Sequence, residues 1–224
     1  MIVYPMGYTC NMEQFYDRLH AATLLAEHMM HYAHTPRALL LALPRGGVPI
    51  ARALSEKLNI PWQIFLVRKL GVPNQPELAF GAMASDGTCF LNEEVIGMCR
   101  LTPSQIAEVK EQELKELARR ALVYGAPHIS SFEQSTFIIV DDGIATGATV
   151  YAAIASLKSH HASKIVVAVP IIALSTQEEM ILQVDALVSV LAPPHLSSIG
   201  QYYRDFEQLS DPDVLRDLAS KITQ

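Results

Sequence analysis

The chain has 224 residues, of which 50% are hydrophobic and 18% are charged, and its formal net charge at pH 7 is −6. This composition is that of a globular protein, so it excludes a disordered, collagenous or coiled-coil chain. A mildly acidic chain is poorly suited to nucleic-acid backbone or an anionic membrane, and we expect neither as a partner. Since about 150 residues make one domain, a single domain over residues 1–224 is predicted.

The cysteines and the N-terminus bear on the cellular compartment. Cys10, Cys89 and Cys99 lie far apart in the sequence, which is typical of reduced thiols rather than of a disulfide framework. The N-terminus lacks a basic stretch followed by an apolar run, so no signal peptide is predicted. The longest apolar stretch, residues 165–174, is about half as long as a membrane span. We therefore expect a soluble cytoplasmic protein.

In the first part of the chain, apolar residues alternate between helical spacing and short continuous runs. These patterns predict, in chain order, a helix over 12–34, a strand over 39–43, a helix over 48–58 and a strand over 64–67. The next segment, residues 70–90, is rich in Gly, Pro and Asn. We predict a long flexible loop there, with a small hairpin around Asp86-Gly87, and its length is typical of a lid over a site.

The second part of the chain alternates more regularly. A charged helix is predicted to begin at Thr102-Pro103, capped by Thr102 or Ser104, and to end near Tyr124 before Gly125. The elements that follow are a strand over 137–140, a helix over 147–161, a strand over 165–169, a helix over 175–183, a strand over 186–191 and a last helix opened by Asp211-Pro212.

Continuous apolar strands that alternate with helices are typical of a parallel sheet covered on both faces. We therefore predict an α/β fold of three layers, in which helices flank a mostly parallel central sheet. No linker divides the sequence into independent domains. In open sheets of this kind ligands bind beyond the carboxyl ends of the strands, so the segments that follow the apolar runs are the candidate sites.

The segment after strand 137–140 reads DDGIATGAT, residues 141–149. Its two adjacent carboxylates repel each other and need a cation or hydrogen-bond donors, which vicinal ribose hydroxyls with Mg²⁺ would supply. Gly147 and the hydroxyls of Thr146 and Thr149 follow at the start of a helix, a typical phosphate site. The pattern indicates a composite site for a phosphorylated ribose, and an ordinary strand-to-helix turn capped by Asp is the alternative.

Two other strand ends carry cationic residues. In Pro44-Arg45-Gly46-Gly47 the glycines allow backbone N–H groups to face an anion and Arg45 adds a charge, although an ordinary Pro/Gly turn is the alternative. Arg68 and Lys69 follow the run 64–67. They are candidates for the same anion, against the alternative of a solvated strand end.

A strand, two acidic residues and a small Thr-Gly-x-Thr loop resemble the phosphoribosyl pyrophosphate (PRPP) motif of type I phosphoribosyltransferases. The stretch FIIVDDGIATGAT matches this motif in letters and in context. The resemblance covers roughly residues 37–192, and the whole chain is similar to a group of bacterial proteins predicted to be phosphoribosyltransferases of unknown substrate. It implies a phosphoribosyltransferase-like fold, a flexible loop over 70–90, a small hood from residues 1–20 and 193–208, and a homodimer.

The resemblance also implies a role for each candidate residue. Asp141 and Asp142 would hold the ribose hydroxyls and, mainly through ligand and water, Mg²⁺. The 5-phosphate would lie on the loop made by Gly143, Ala145, Thr146, Gly147, Ala148 and Thr149. Arg45, Gly46 and Gly47, with a cis peptide at Arg45-Gly46, and the basic residues Arg68 and Lys69 would bind pyrophosphate. The expected catalytic residues are Lys69, Arg45, Asp141 and Asp142.

The implied function is transfer of 5-phosphoribose from Mg-PRPP to a small nitrogenous acceptor, a nucleobase, with release of pyrophosphate. Ala145 stands where enzymes for 6-oxopurines usually carry Asp, which argues against hypoxanthine or guanine but does not name the acceptor. The alternative is a PRPP-binding regulator with little or no catalysis. A dinucleotide oxidoreductase is disfavoured because no GxGxxG follows a strand.

Four residues of the expected hood each have two possible roles. Tyr202, Tyr203 and Phe206 either stack on the acceptor base or pack on the core. His195 either faces the site or lies on the surface.

Overall fold

The structure is a computed structural model that describes residues 3–4, 14–125 and 135–220. Cys10 and most of the N-terminal part of the predicted hood lie outside these residues. Cys89 and Cys99 are free thiols. No helix in the described ranges combines the length and the apolar character that crossing a bilayer requires.

The described residues form nine strands and seven α-helices. The strands are β1 (Val3–Tyr4), β2 (Ala38–Ala42), β3 (Trp62–Ile64), β4 (Val67–Val72), β5 (Gln75–Ala84), β6 (Cys89–Leu91), β7 (Thr136–Val140), β8 (Lys164–Ile171) and β9 (Ala186–Leu191). The helices are α1 (Arg18–His28), α2 (Gly47–Leu58), α3 (Glu93–Met98), α4 (Pro103–Tyr124), α5 (Ala148–Ser159), α6 (Leu174–Met180) and α7 (Asp211–Ser220).

Six strands form the central sheet in the order β1-β9-β8-β7-β2-β3, and every neighbouring pair is parallel. Alternate residues of the central strands enter two separate apolar clusters. Ile138 and Val140 of β7 belong to one cluster, and Ile139 belongs to the other. Because both faces of the sheet are covered, its strands are apolar throughout. The predicted three-layer α/β fold is confirmed.

Local signals explain where two of the helices begin and end. Thr102 caps α4 in a capping box with Gln105, and Gly125 ends it with φ of 58°. The helix predicted over 12–34 is shorter, because the Asp17 carboxylate accepts a hydrogen bond of 2.7 Å from the His20 N–H and so starts α1 at Arg18.

The prediction of a long irregular loop over 70–90 is wrong. Strands β4, β5 and β6 form a three-stranded antiparallel sheet there. Asn74 and Gly87, two of the residues that suggested a loop, lie at its turns with φ of 68° and 87°, whereas Gly71 and Gly81 lie within β4 and β5. The hairpin at Asp86-Gly87 is confirmed, and Asp86 Oδ1 accepts a hydrogen bond from the Thr88 N–H. Motion of this sheet as a lid stays a prediction.

The described parts of the two chain ends, which were predicted to form a hood, lie side by side, and their role over a site stays a prediction. The Phe15 N–H donates to the Tyr202 carbonyl at 2.7 Å, and the Arg204 N–H donates to the Phe15 carbonyl at 2.9 Å. We call residues 14–20 and 193–208 the hood. It places α1 and the segment after β9 at the carboxyl end of the central sheet.

Candidate functional site

The two glycine-containing loops lie side by side because the strands that precede them are neighbours. Ala42 of β2 is paired with Val140 of β7, and the Leu43 N–H donates to the Val140 carbonyl at 2.9 Å. Loop 44–47 therefore begins beside Asp141. The parallel pairing brings together two segments that are about a hundred residues apart in the sequence.

Two glycines of loop 44–47 pack closely against the end of β7 and the acidic pair. An ideal Cβ on Gly46 would lie 2.1 Å from Asp142 Oδ2, and one on Gly47 would lie 2.3 Å from the Val140 carbonyl oxygen. The loop and the acidic strand end are thus in direct contact. Both predicted glycines allow this close packing, but the Gly47 N–H donates to the Leu43 carbonyl at 3.0 Å and is not free for an anion as predicted.

The non-proline cis peptide joins Pro44 and Arg45, one bond earlier than predicted. Gly46 already has helical dihedral angles, with φ of −62° and ψ of −35°, and the Val48 N–H donates to the Arg45 carbonyl. The helical turn of α2 therefore includes the Arg45-Gly46 bond, and the irregular geometry lies before it.

Asp141 and Asp142 are partly buried, and their carboxylates have different hydrogen-bond partners. The Asp142 carboxylate, 14% exposed, accepts a hydrogen bond of 2.8 Å on Oδ2 from Nε of Arg18, and Nη2 of Arg18 lies 2.8 Å from the same oxygen in an ion pair. Asp141 Oδ1 accepts only the neighbouring Asp142 N–H among the described groups. Sequence reasoning missed Arg18, because nothing in its local pattern separates it from an ordinary basic residue in a helix.

Burial and the neighbouring charge raise the pKa of Asp141 well above its usual range, and Lys69 and Arg18 only partly oppose this. Burial also raises the pKa of Asp142, while the guanidinium of Arg18 lowers it. Two ionised carboxylates are thus costly here without further positive charge or hydroxyl donors. A ligand that brings either would be stabilised at this strand end.

The hood aromatics pack beneath the acidic pair. The Tyr203 hydroxyl donates to the Asp142 carbonyl at 2.7 Å, and its ring contacts those of Phe15 and Phe206. Tyr202 reaches the His195 carbonyl through its hydroxyl, and His195 itself is exposed. For Tyr203 and Phe206 the packing alternative is therefore the observed one.

The second glycine loop ends at the N-terminus of α5. Gly147 has φ of 75° and precedes the helix, while the Thr176 hydroxyl donates to the Ala145 carbonyl at 2.5 Å and holds the loop from the other side. Thr146 is exposed and Thr149 is half-buried. The first turn of a helix offers N–H groups that have no partner within the helix, so this loop is suited to an anion.

Arg68 and Lys69 diverge, since successive strand residues point to opposite faces. Arg68 Nε donates to Glu113 Oε2 of α4 at 2.6 Å. Lys69 is exposed, and its charge lowers the pKa of Asp141. The charge of Lys69 therefore acts on Asp141 of the acidic pair, whereas Arg68 is bound to Glu113 of α4.

Arg45 has an acidic neighbour as well. Its Nη1 lies 3.7 Å from Asp211 Oδ1, and the Tyr124 hydroxyl donates to the same oxygen at 2.6 Å. Burial and the Asp211 carboxylate raise the pKa of Tyr124 to about 12. The start of α7 thus lies close to loop 44–47.

A cleft of about 580 Å³ adjoins the three predicted anion-binding segments. Its lining includes Pro44, Lys69 and Thr149, and α4 contributes Glu113 and Arg120. The cleft gives a charged ligand access to loop 44–47, to β4 and to the start of α5 at once.

Comparison with known proteins identifies the family of the chain. A family model described as the phosphoribosyl transferase domain matches residues 11–191. A Mycobacterium tuberculosis protein, whose name assigns it provisionally to the phosphoribosyl transferases, is 39% identical over 206 residues, which are 91% of this chain and 46% of that protein. The chain thus spans about half the length of this curated relative.

Two solved structures share the fold. A Thermus thermophilus protein has a TM-score of 0.76 and 31% identity over 92% of this chain and 98% of its own. An Aquifex aeolicus protein has a TM-score of 0.51 and 9% identity over 82% of this chain and 76% of its own, which shows the fold alone. The chain belongs to the phosphoribosyltransferase family.

Proposed function

We propose that the chain binds PRPP with Mg²⁺ and transfers its 5-phosphoribosyl group to a small nitrogenous acceptor, a nucleobase other than a 6-oxopurine, with release of pyrophosphate. The observation that carries the proposal is the contact between Gly46 and the Asp142 carboxylate. This contact joins loop 44–47, which is suited to pyrophosphate, to an acidic pair suited to ribose hydroxyls. The N-terminus of α5 follows the acidic pair in the chain, directly after Gly147.

In this reaction the bond from ribose C1 to a pyrophosphate oxygen breaks, and pyrophosphate leaves with the electron pair. A bond forms from C1 to the acceptor nitrogen, which gives up its proton to water or to the departing pyrophosphate. Asp141 and Asp142 hold the ribose hydroxyls, and residues 143 and 145–149 hold the 5-phosphate. Lys69, Arg45 and loop 44–47 stabilise the charge that develops on pyrophosphate, so positioning and electrostatics supply the rate enhancement.

The residues present fit a magnesium ion that arrives with the ligand. Among the described residues no cluster of three or more His, Cys, Asp or Glu side chains forms a metal cage. Mg²⁺ usually keeps several waters and is bound by one or two carboxylates together with substrate phosphates. Asp141 and Asp142 provide such carboxylates, and the ion would supply neutralisation of the pyrophosphate charge.

The acceptor is constrained by residue 145. Ala145 has no side-chain group that accepts a proton or a hydrogen bond, and its carbonyl is already bound by Thr176. A 6-oxopurine that needs a carboxylate partner at this position is therefore disfavoured. A homodimer and a cytoplasmic location are part of the same proposal and are supported by the family resemblance and the reduced cysteines.

The acidic pair provides the direct test. Calorimetric titration of PRPP with Mg²⁺ should show saturable binding to the wild type and none to the Asp141→Asn/Asp142→Asn variant, because the variant loses both charged acceptors for ribose hydroxyls. Asp205→Asn, an exposed residue of the hood, is the matched control and should bind as the wild type does. Undiminished binding by the double variant would remove the assignment of these acids.

Binding alone does not separate an enzyme from a regulator. Release of pyrophosphate from PRPP, followed across a set of nucleobases, is expected for the enzyme. Saturable binding with no release for any acceptor would favour the regulatory alternative.

Glu113 offers a further test, since its carboxylate accepts a hydrogen bond from Arg68 Nε. Glu113→Gln removes the carboxylate from a pair in which Arg68 is 31% exposed and Glu113 is 17% exposed. Such pairs contribute roughly 0.2–1 kcal/mol, so freeing Arg68 should raise the affinity for Mg-pyrophosphate by a factor of about 1.4 to 5. Glu111→Gln, which breaks the exposed pair with Lys115 on the same helix, should leave that affinity unchanged. Equal effects of the two substitutions would show that Arg68 is not a pyrophosphate ligand.

A further inference from the structure

Arg18 is held by the hood independently of Asp142. Its guanidinium carbon lies 3.9 Å from the centroid of the Phe206 ring, and its Nη1 donates to the Glu207 carbonyl at 2.9 Å. The side chain is only 12% exposed. These contacts fix the position of the guanidinium before any ligand binds.

The fixed guanidinium in turn fixes the Asp142 carboxylate. Nε of Arg18 donates to Oδ2 at 2.8 Å, and Nη2 lies 2.8 Å from the same oxygen in the ion pair. On the other side the carboxylate lies against Gly46, where a Cβ would be 2.1 Å from Oδ2 and 2.6 Å from Oδ1. Within the described part of the chain no other residue donates a hydrogen bond to Oδ1, so it is the oxygen that remains for a ligand.

The burial of Arg18 argues against a blocking role. A residue that merely fills the site until a ligand displaces it would have to leave Phe206, the Glu207 carbonyl and Asp142 together. A buried, hydrogen-bonded cation is costly to displace in this way, because its donors would lose partners in a poorly hydrated environment. The geometry thus favours a residue that stays in place while a ligand binds.

We propose that Arg18 is a positioning residue of the ribose site: it engages Oδ2 of Asp142 and presents Oδ1 to a ribose hydroxyl. The inference rests on the proposed function and extends it to a residue of the hood. It makes the hood part of the donor-ribose site, through Arg18 and Phe206, in addition to any role over the acceptor. The loss of Arg18 should therefore affect ligands that contain ribose and spare those that do not.

The test compares three probes by calorimetry on the full chain: PRPP with Mg²⁺, ribose 5-phosphate, and pyrophosphate with Mg²⁺. Arg18→Gln should weaken PRPP and ribose 5-phosphate roughly tenfold, the value expected for losing a charged hydrogen bond, and leave pyrophosphate unchanged. Arg18→Lys keeps the charge and should recover part of the loss. Arg204→Gln, an exposed arginine of the same hood, should bind all three probes as the wild type does.

Other outcomes would overturn the proposal. Unchanged affinities in Arg18→Gln would show that Asp142 needs no support, and a gain for PRPP would show that Arg18 blocks the site. A parallel loss for pyrophosphate would show a general role in the stability of the hood. If Arg18→Gln does not fold, Arg18→Lys decides alone, and it must lose ribose 5-phosphate affinity while keeping pyrophosphate affinity. A wild type that binds no PRPP would instead refute the proposed function itself, and this inference with it.

Discussion

Replacement of Lys69 by alanine should lower turnover by roughly 10²–10³-fold, the loss typical of removing one group that stabilises developing charge. Lys69 is the cation of β4 whose charge reaches Asp141, and no ion pair or hydrogen bond holds it among the described residues. Because the charge on pyrophosphate grows as the C1–O bond breaks, the interaction with Lys69 should be stronger in the transition state than in the ground state. The affinity for PRPP should therefore fall only by about two- to fivefold.

Steady-state kinetics and calorimetry together check this expectation. Lys57→Ala, an exposed lysine in the last turn of α2, is the matched control and should change neither quantity. Equal losses in turnover and in PRPP affinity would make Lys69 a residue of ground-state binding only. A larger loss from Arg68→Ala than from Lys69→Ala would reverse the assignment of the two cations.

The strand ends of the central sheet were predictable because their signals are local. The run that forms β7 and the residues 141–149 stand together in the sequence, and parallel pairing then requires that loop 44–47 lie beside them. The continuous apolar pattern of the strands also predicts that both faces of the sheet are buried. Fold and site location thus follow from short segments and one general rule of topology.

Other features depend on contacts that no local pattern contains. Strands β4 to β6 escaped prediction because their Gly, Pro and Asn residues are typical of loops, whereas pairing across the sheet decides the structure. The ion pair that holds Arg68 depends on Glu113, which is 45 residues away in the sequence. Arg18 is 124 residues away from Asp142, so their contact appears only once the chain has folded.

The close packing of loop 44–47 against β7 leads to a prediction about folding that does not depend on any ligand. Gly47→Ala would place a Cβ 2.3 Å from the Val140 carbonyl oxygen and 3.0 Å from the Asp141 Cα. Both neighbours are backbone atoms of a central segment, so neither can rotate away as a side chain would. Overpacking of this kind costs about 1–3 kcal/mol, and we expect the free energy of unfolding to fall by an amount in the upper part of that range.

Gly97 provides the matched control, because it lies within α3 and a Cβ there would meet no heavy atom within 4 Å. Gly97→Ala should raise the free energy of unfolding by up to about 1 kcal/mol, the usual gain when alanine replaces glycine inside a helix. Urea denaturation of the two variants and the wild type measures both changes under the same conditions. If Gly47→Ala proved as stable as Gly97→Ala, loop 44–47 would not pack against the end of β7, and the geometry that joins the glycine loop to the acidic pair would be wrong.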